Sequence, residues 1–225
     1  MDLIQAIENR RSIRGFKPDP VPRAVIREIL SVATRAPSAN NTQPWEFAVL
    51  AGPVLDAVRE ENVAWLRSGR MIEPEHPVFS WPKESVFRQR QVNLARDIFS
   101  LMGIKREDKV QRDIWMERGF RYFDAPAAIF VLTDRSLGEH GSLMDIGAVV
   151  QTICLAALPH GLGTCIEDQG VLYPKILRTI ANFPENKRVV ISIAIGYPDP
   201  DFPANRLKST REPVESITTF FGLGD

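Results

Sequence analysis

Apolar residues in this chain recur at two spacings, one helical and one strand-like, and their alternation predicts helices interrupted by short strands. Leu3, Ile4 and Ile7 share one helical face, and that helix closes near Arg10. Prolines at 18, 20 and 22 forbid helix between Lys17 and Val21. Pro22 suits the first position of a second helix, whose apolar face is Val25, Ile26, Ile29, Leu30 and Ala33. Trp45–Leu50 is rich in β-formers and reads as a strand. Pro53–Arg67 is helical in pattern, residues 69–83 are an irregular proline-containing connector, and Lys83–Met102 and Lys105–Tyr122 are two charged amphipathic helices. Asp124-Ala125-Pro126 breaks the chain before Ala127–Leu132, a continuous apolar run of strand length. Leu143–Leu158 is apolar almost all round, which predicts a core or subunit-interface helix. A short strand within His160–Glu167, a helix over Val171–Ile180 and a buried strand over Val189–Ile195 follow. The segment from Asp199 onward is proline-punctuated and ends in Phe220-Phe221, so it must lie along a surface, its own or a partner's. With no repeat and no linker, the order predicts one α+β or mixed α/β domain.

Composition sharpens this picture by exclusion. The 225 residues are 44% hydrophobic and 25% charged, enough for a real core. Lys plus Arg (28) equals Asp plus Glu (28), so the chain lacks the basic footprint of a nucleic-acid binder. Cys154 and Cys165 form neither a disulfide framework nor a metal spacing. His76, His140 and His160 are scattered and make no zinc motif. The start, Met1-Asp2-Leu3-Ile4, shows no signal-peptide pattern, and the run Ile146–Leu158 is short for a membrane span. The expectation is a cytoplasmic protein without nucleic-acid, membrane or metal partners.

No self-contained catalytic signature is present: no G-x-S-x-G, Walker loop, H-E-x-x-H or C-x-x-C. Gly161-Leu162-Gly163 lacks the third glycine of a dinucleotide fingerprint and follows a helix, not a strand. What remains is chemistry carried by a bound cofactor, with the protein supplying grip and orientation. The candidate grip is Arg10-Arg11-Ser12-Ile13-Arg14, whose guanidinium forks match phosphate. Alone, this cluster reads first as a solvated helix end. The polar loop Ala36–Pro44, set between a helix and a strand, is a second candidate for presenting amides and hydroxyls to a ligand.

Taken together, Arg10–Arg14, Ala36-Pro37-Ser38, Asn41-x-Gln43-Pro44-Trp45, Gly161–Thr164, Ile195-Gly196-Tyr197-Pro198 and the tail Asn205–Pro213 resemble the FMN-dependent nitroreductase family, and the tail and lid length its nitrobenzoate reductase-like branch. The resemblance spans nearly the whole chain and is weakest over residues 60–122. It implies an α+β nitroreductase-like fold, a central mixed β-sheet flanked by helices, in an intertwined homodimer. Residues 1–225 would form a single domain, with 60–122 a variable helical lid and 199–225 an extension packing on the partner subunit. Carried over by position, Arg10, Arg11 and Arg14 with Ser12 and Ile13 would hold the FMN phosphate and ribityl chain, and Ser209 and Arg211 would close on the phosphate from the tail. Pro37, Ser38 and Asn41 would reach FMN from the other subunit, and Cys165, Ile166 and Glu167 would pass the flavin ring. Arg88 and Arg90 in the lid would meet a substrate carboxylate. The implied activity is hydride transfer from NADH or NADPH through FMN to a nitroaromatic or quinone acceptor, by ping-pong kinetics and without a protein catalytic residue. Two other readings stand beside it: reductive dehalogenation or other flavin chemistry on the same scaffold, and flavin binding without turnover. The dehalogenating branch needs a lid tyrosine, whereas here Lys83 and Glu84 are followed by no tyrosine before Tyr122.

Overall fold

The computed structural model describes residues 2–78, 80–138 and 142–223, so His140 lies outside the described residues. A four-stranded sheet, in the order β1-β2-β4-β3, forms its centre: β1 (Glu46–Ala51), β2 (Ala127–Asp134), β3 (Gly163–Glu167) and β4 (Lys187–Gly196). All three pairings are antiparallel, with Ala127 opposite Ile195 and Cys165 opposite Ala194. The mixed sheet expected from the sequence is therefore corrected. Among the described residues parallel pairing is confined to one bridge between Ser12 and Thr164, outside the named strands.

β2 explains its own sequence. Ala128, Phe130 and Leu132 face one core, while Ala127, Ile129 and Val131 face a second core on the opposite side. A strand covered on both faces has no polar alternation, which is why it reads as a continuous apolar run. The first core packs beneath α3 (Gly52–Arg67) and α7 (Pro174–Ala181) through Leu55, Val58, Ile176 and Leu177. The second packs beneath α2 (Arg23–Ala33) and α6 (Leu143–Ala157) through Ile26, Ile29, Val149 and Ile153. Pro22 sits one position before α2, as its N-cap, rather than inside it.

Several apolar surfaces find no cover within the chain. In α1 (Leu3–Asn9), Leu3 and Ile4 are 68% and 63% exposed. The tail beyond Leu207 exposes Ile217, Phe220, Phe221 and Leu223. Helix α6 with the 3-10 turn after it runs Leu143–His160, 18 residues at mean hydropathy 1.4, so it meets the length and composition of a membrane span; 33% of that stretch is buried within the chain. It is longer than the apolar run read from the sequence because Leu143, Met144 and the turn extend it at both ends.

The first half of the connector at 69–83 is pinned at Arg70, Glu73 and Glu75. Glu75 is bound by Arg178 at 2.5 Å and by Arg135, and its other oxygen accepts the Val189 N–H at 2.7 Å. Glu73 pairs with Lys175, and Tyr173 Oη donates to the Arg70 carbonyl. Two helices, α4 (Val86–Leu101) and α5 (Lys109–Phe120), project beyond it, and α4 buries Ile98 alone.

Candidate functional site

The N-terminal arginines owe their place to a short extended segment laid against the sheet edge. α1 ends at Arg10, whose backbone turns to φ −60°, ψ 123°. Ile13 then donates its N–H to the Thr164 carbonyl at 2.9 Å, and its side chain is buried. The approach requires Gly163, because a Cβ there would lie 2.5 Å from Ile13 Cγ1. Gly15 is required for the same reason, a Cβ there meeting the Phe202 ring at 2.1 Å.

Two side chains from distant elements brace the backbone between these glycines. Asn205, buried, accepts the Arg14 N–H at 2.8 Å and donates to the carbonyls of Gly15 (2.7 Å) and Asp199 (2.9 Å). Arg118 of α5 donates to the Arg14 carbonyl at 3.0 Å, pairs with Asp124 and lies over the Phe202 ring at 4.7 Å. Arg14 is thus held through its main chain, and its partly buried guanidinium donates to the Ser12 carbonyl at 3.5 Å.

The result is a cleft of about 440 Å³ in which Arg10 and Arg11 face Lys208, Ser209 and Arg211. Arg211 is preset by Ser209 Oγ at 2.9 Å and by the Thr210 carbonyl. Glu8 is the acid among its lining residues. Four cations around one acid make a site for an anion, and planar guanidiniums in mixed orientation suit a phosphate. The expected Arg10, Arg11, Ser209 and Arg211 therefore converge, and Lys208 joins them.

At the open edge of β3 the strand alternation separates three neighbours. Cys165 and Glu167 point into the first core and are buried, whereas Ile166 is 38% exposed and faces a cavity of about 580 Å³ with Leu143, Val150 and Asp168. The Cys165 and Glu167 side chains are therefore turned away from a ligand at that edge. Burial pushes the Cys165 thiol up to about 12, which leaves it unreactive. Burial also raises the Glu167 carboxyl to about 8, against the lowering effect of Ser192 and the Gly170 N–H. Ser192 Oγ lies 2.9 Å from the Glu167 carbonyl and 2.8 Å from Oε1. One hydroxyl proton cannot serve both, so a protonated carboxyl donating to Ser192 completes the pair.

The loop residues Pro37, Ser38 and Asn41 lie elsewhere in the chain. Ser38 Oγ accepts the Gln43 N–H at 2.9 Å, and the Ala39 N–H meets Asp145 at the start of α6. Asn40, Asn41 and Gln43 all take positive φ, 49°, 58° and 48°. Asparagine tolerates that region, but Gln43 is held there at a cost. Among the described residues no hydrogen bond links this loop to Arg10–Arg14 or to the tail. The lid arginines also part company. Arg90 pairs with Glu212 of the tail at 3.1 Å, whereas Arg88 lines a separate cleft along α4.

With this geometry in place, the comparison with known proteins is direct. The sequence profile of the Nitroreductase family matches residues 7–197. The chain belongs to the nitroreductase family. It is 34% identical over 215 residues to a nitrobenzene nitroreductase of Ectopseudomonas oleovorans, covering 95% of this chain and 94% of that protein. It is 29% identical to a 4-nitrobenzoate reductase of Nocardioides sp. (strain LMS-CY), covering 95% and 87%. Among solved structures it superposes on the FMN and NADPH-dependent nitroreductase NfnB from sphigopyxis sp. strain HMH with TM-score 0.93 and 28% identity, over 99% of this chain and 100% of that one. Within this nitroreductase-family fold, the residues that sequence reading missed are Asn205, Arg118 and Lys208. Lys208 adjoins Ser209 and was legible as part of the basic tail. Asn205 opens the same tail segment, but neither it nor Arg118 signalled a bracing role, since their partners lie 191 and 104 positions away.

Proposed function

We propose that this chain is an FMN-dependent oxidoreductase that uses NADH or NADPH to reduce nitroaromatic or quinone acceptors. One observation carries the reading. Arg10 and Arg11 from the start of the chain, and Ser209 and Arg211 from its end, meet in one cleft whose lining carries a single acid. FMN is a phosphomonoester, and this donor set fits its phosphate. When bound, FMN supplies the redox chemistry, taking a hydride from the reduced nicotinamide and returning electrons to the acceptor in alternate half-reactions. The protein's share is placement. Arg10, Arg11, Arg211 and Lys208 hold the phosphate, while Arg14, locked by Asn205 and Arg118, directs its charge toward the ribityl chain and ring. Ser12 offers a hydroxyl beside them, and Ile13 fixes the segment to β3. Since the Thr164 carbonyl is taken by Ile13, strand alternation turns the next outward backbone groups of β3 to Ile166. Its amide is the donor we assign to the ring edge, flanked by the Cys165 and Glu167 backbone.

The functional unit in this reading is a homodimer. The Pro37–Asn41 loop sits apart from the arginine cleft in one chain, so it serves the site of a second copy. The uncovered faces of α1, α6 and the tail are the surfaces such a copy would bury. Residues 60–122 provide the lid and 199–225 the wrapping extension.

The test is to replace Arg11 and Arg211 together with Ala. The purified variant should be colourless and should recover flavin only at high added FMN; full retention of FMN would refute the phosphate assignment. For the untouched protein, NADPH and a nitroaromatic should give parallel double-reciprocal lines, and sedimentation should give twice the chain mass. Intersecting lines would exclude the alternating mechanism, and a monomer with full activity would exclude the shared site.

A further inference from the structure

We infer that Ser192 and the Glu167 side chain form a buried positioning pair behind β3, which favours reduced over oxidised flavin at that edge while the pair holds a proton. The inference rests on the reading above, in which FMN lies with its ring against the outward backbone groups of β3.

The pair is built into the first core, on the face of β3 away from the ring. Ser192 of β4 stands opposite Glu167 and is fully buried. Its hydroxyl reaches the Glu167 carbonyl at 2.9 Å and Oε1 at 2.8 Å, while Oε2 accepts the Gly170 N–H at 3.1 Å. Gly170 closes the space around them. A Cβ there would lie 2.1 Å from the Tyr122 ring, 2.6 Å from Glu167 Oε1 and 2.8 Å from Ser192 Oγ. Tyr122 supplies no proton to the pair, because its hydroxyl donates to the Gly170 carbonyl at 2.8 Å and accepts from Asn62 at 3.3 Å. Among the described residues, Glu167 Oε1 therefore has Ser192 as its hydrogen-bond partner.

With the carboxyl protonated, Oε1–H donates to Ser192 Oγ and Ser192 donates to the Glu167 carbonyl. That second bond polarises the Glu167–Asp168 peptide. The peptide is planar and trans, so its N–H points the opposite way, toward the open edge of β3 beside Ile166. Loss of the proton reverses both effects. The hydroxyl turns to the carboxylate, the stronger acceptor, and a buried negative charge stands behind the edge. Reduction adds negative charge to a flavin, so the neutral pair favours the reduced form and the ionised pair opposes it.

The groups packed around Glu167 leave it as the one that changes near neutral pH. Burial pushes Tyr122 of the turn before β2, and Cys165 of β3, upward, and both stay neutral. Asp168, next in the chain, repels the Glu167 charge. Arg59 of α3 is paired with Asp56, and Arg118 of α5 with Asp124. Glu167 itself lies at about 8.

The experiment is a redox titration of the purified, flavin-loaded chain and of Glu167→Gln at about pH 7 and about pH 9, on either side of the Glu167 value. The midpoint potential reports the ratio of affinities for reduced and oxidised FMN. The Gln amide donates to Ser192 as the protonated acid does, and it cannot ionise. The phosphate grip and the flavin's own protons are common to both chains and cancel in the comparison. The two ratios should agree at the lower pH, and at the higher pH the native ratio should fall about fivefold or more below that of the variant. Ser192→Ala should lower the ratio about threefold or more at the lower pH, where the acid is still protonated. A merely structural role would lower stability without separating the native and Gln potentials as pH rises. Equal ratios at the higher pH, or an unchanged ratio in Ser192→Ala, overturn the pair. If the variants do not fold, the native chain decides: its potential should fall more steeply with pH than that of free FMN, and an equal slope overturns the inference. A native chain that takes up no FMN refutes the cofactor reading and this inference with it, whereas a flavin-loaded chain whose potential parallels that of Glu167→Gln refutes this inference alone.

Discussion

Asn205→Ala tests the bracing of Arg14 most directly. The side chain is 4% exposed and makes three hydrogen bonds, accepting from Arg14 N–H and donating to the Gly15 and Asp199 carbonyls. The three losses are unequal. The Gly15 carbonyl keeps the Asp199 N–H at 3.1 Å, and the Asp199 carbonyl keeps the Phe202 N–H at 3.4 Å, but no other acceptor is in place for the Arg14 N–H. An orphaned buried donor costs about 1–3 kcal/mol, and weakening two carbonyls adds about 1 kcal/mol. The expected loss is therefore about 2–4 kcal/mol, a large share of the roughly 5–15 kcal/mol typical of a domain. Urea unfolding of the flavin-free protein measures this; a loss below about 1 kcal/mol would refute the hydrogen-bond argument. A second readout separates positioning from bulk stability. If Asn205 acts through Arg14, Asn205→Ala should weaken FMN binding in the native background and have no further effect in an Arg14→Ala background. The same fold-loss in both backgrounds would show that Asn205 does not act through Arg14.

Two further predictions follow from other parts of the site. Glu167 has a folded pKa of about 8 against 4.5 for the free side chain, so between those values the folded state holds a proton that the unfolded chain has released. Stability from this group therefore falls as pH rises from about 5 to about 8, and Glu167→Gln should abolish that fall. Urea midpoints at about pH 6 and about pH 9 check it: the variant should gain on the native chain by a few kcal/mol at the higher pH, and parallel curves would refute it. Gly163→Ala would set a Cβ 2.5 Å from Ile13 and 2.9 Å from Pro198, forcing the N-terminal segment off β3. The expected cost is about 1–3 kcal/mol together with loss of FMN, read by thermal melting and flavin content; native-like values in both would show that the segment has slack.

Much of this molecule was legible from residue pattern because the pattern is local. The six residues Ala127–Leu132 read as a strand since both of its faces are buried, and α2 and α6 read as helices since their apolar spacing matches the helical period. The arginines at the start and the basic tail were legible as candidates, and the structure brings Arg10, Arg11, Ser209 and Arg211 to one cleft. Pattern could not decide what lies opposite. Antiparallel pairing of β3 with β4 depends on how the intervening chain packs, so the mixed sheet expected from the sequence was not what formed. The proline-containing connector at 69–83 looked irregular, and its order around Glu75 comes from two arginines 60 and 103 positions further along the chain. Arg88 and Arg90 are near-identical in sequence context, yet a two-residue step on a helix points them to different sides, one into a cleft and one onto Glu212. The sequence by itself determined most of the elements and the family resemblance. Only the tertiary structure decided that Asn205 and Arg118 would lock Arg14 in place, because a hydrogen bond across 191 positions is specified by the packing of the whole chain and not by any stretch of it.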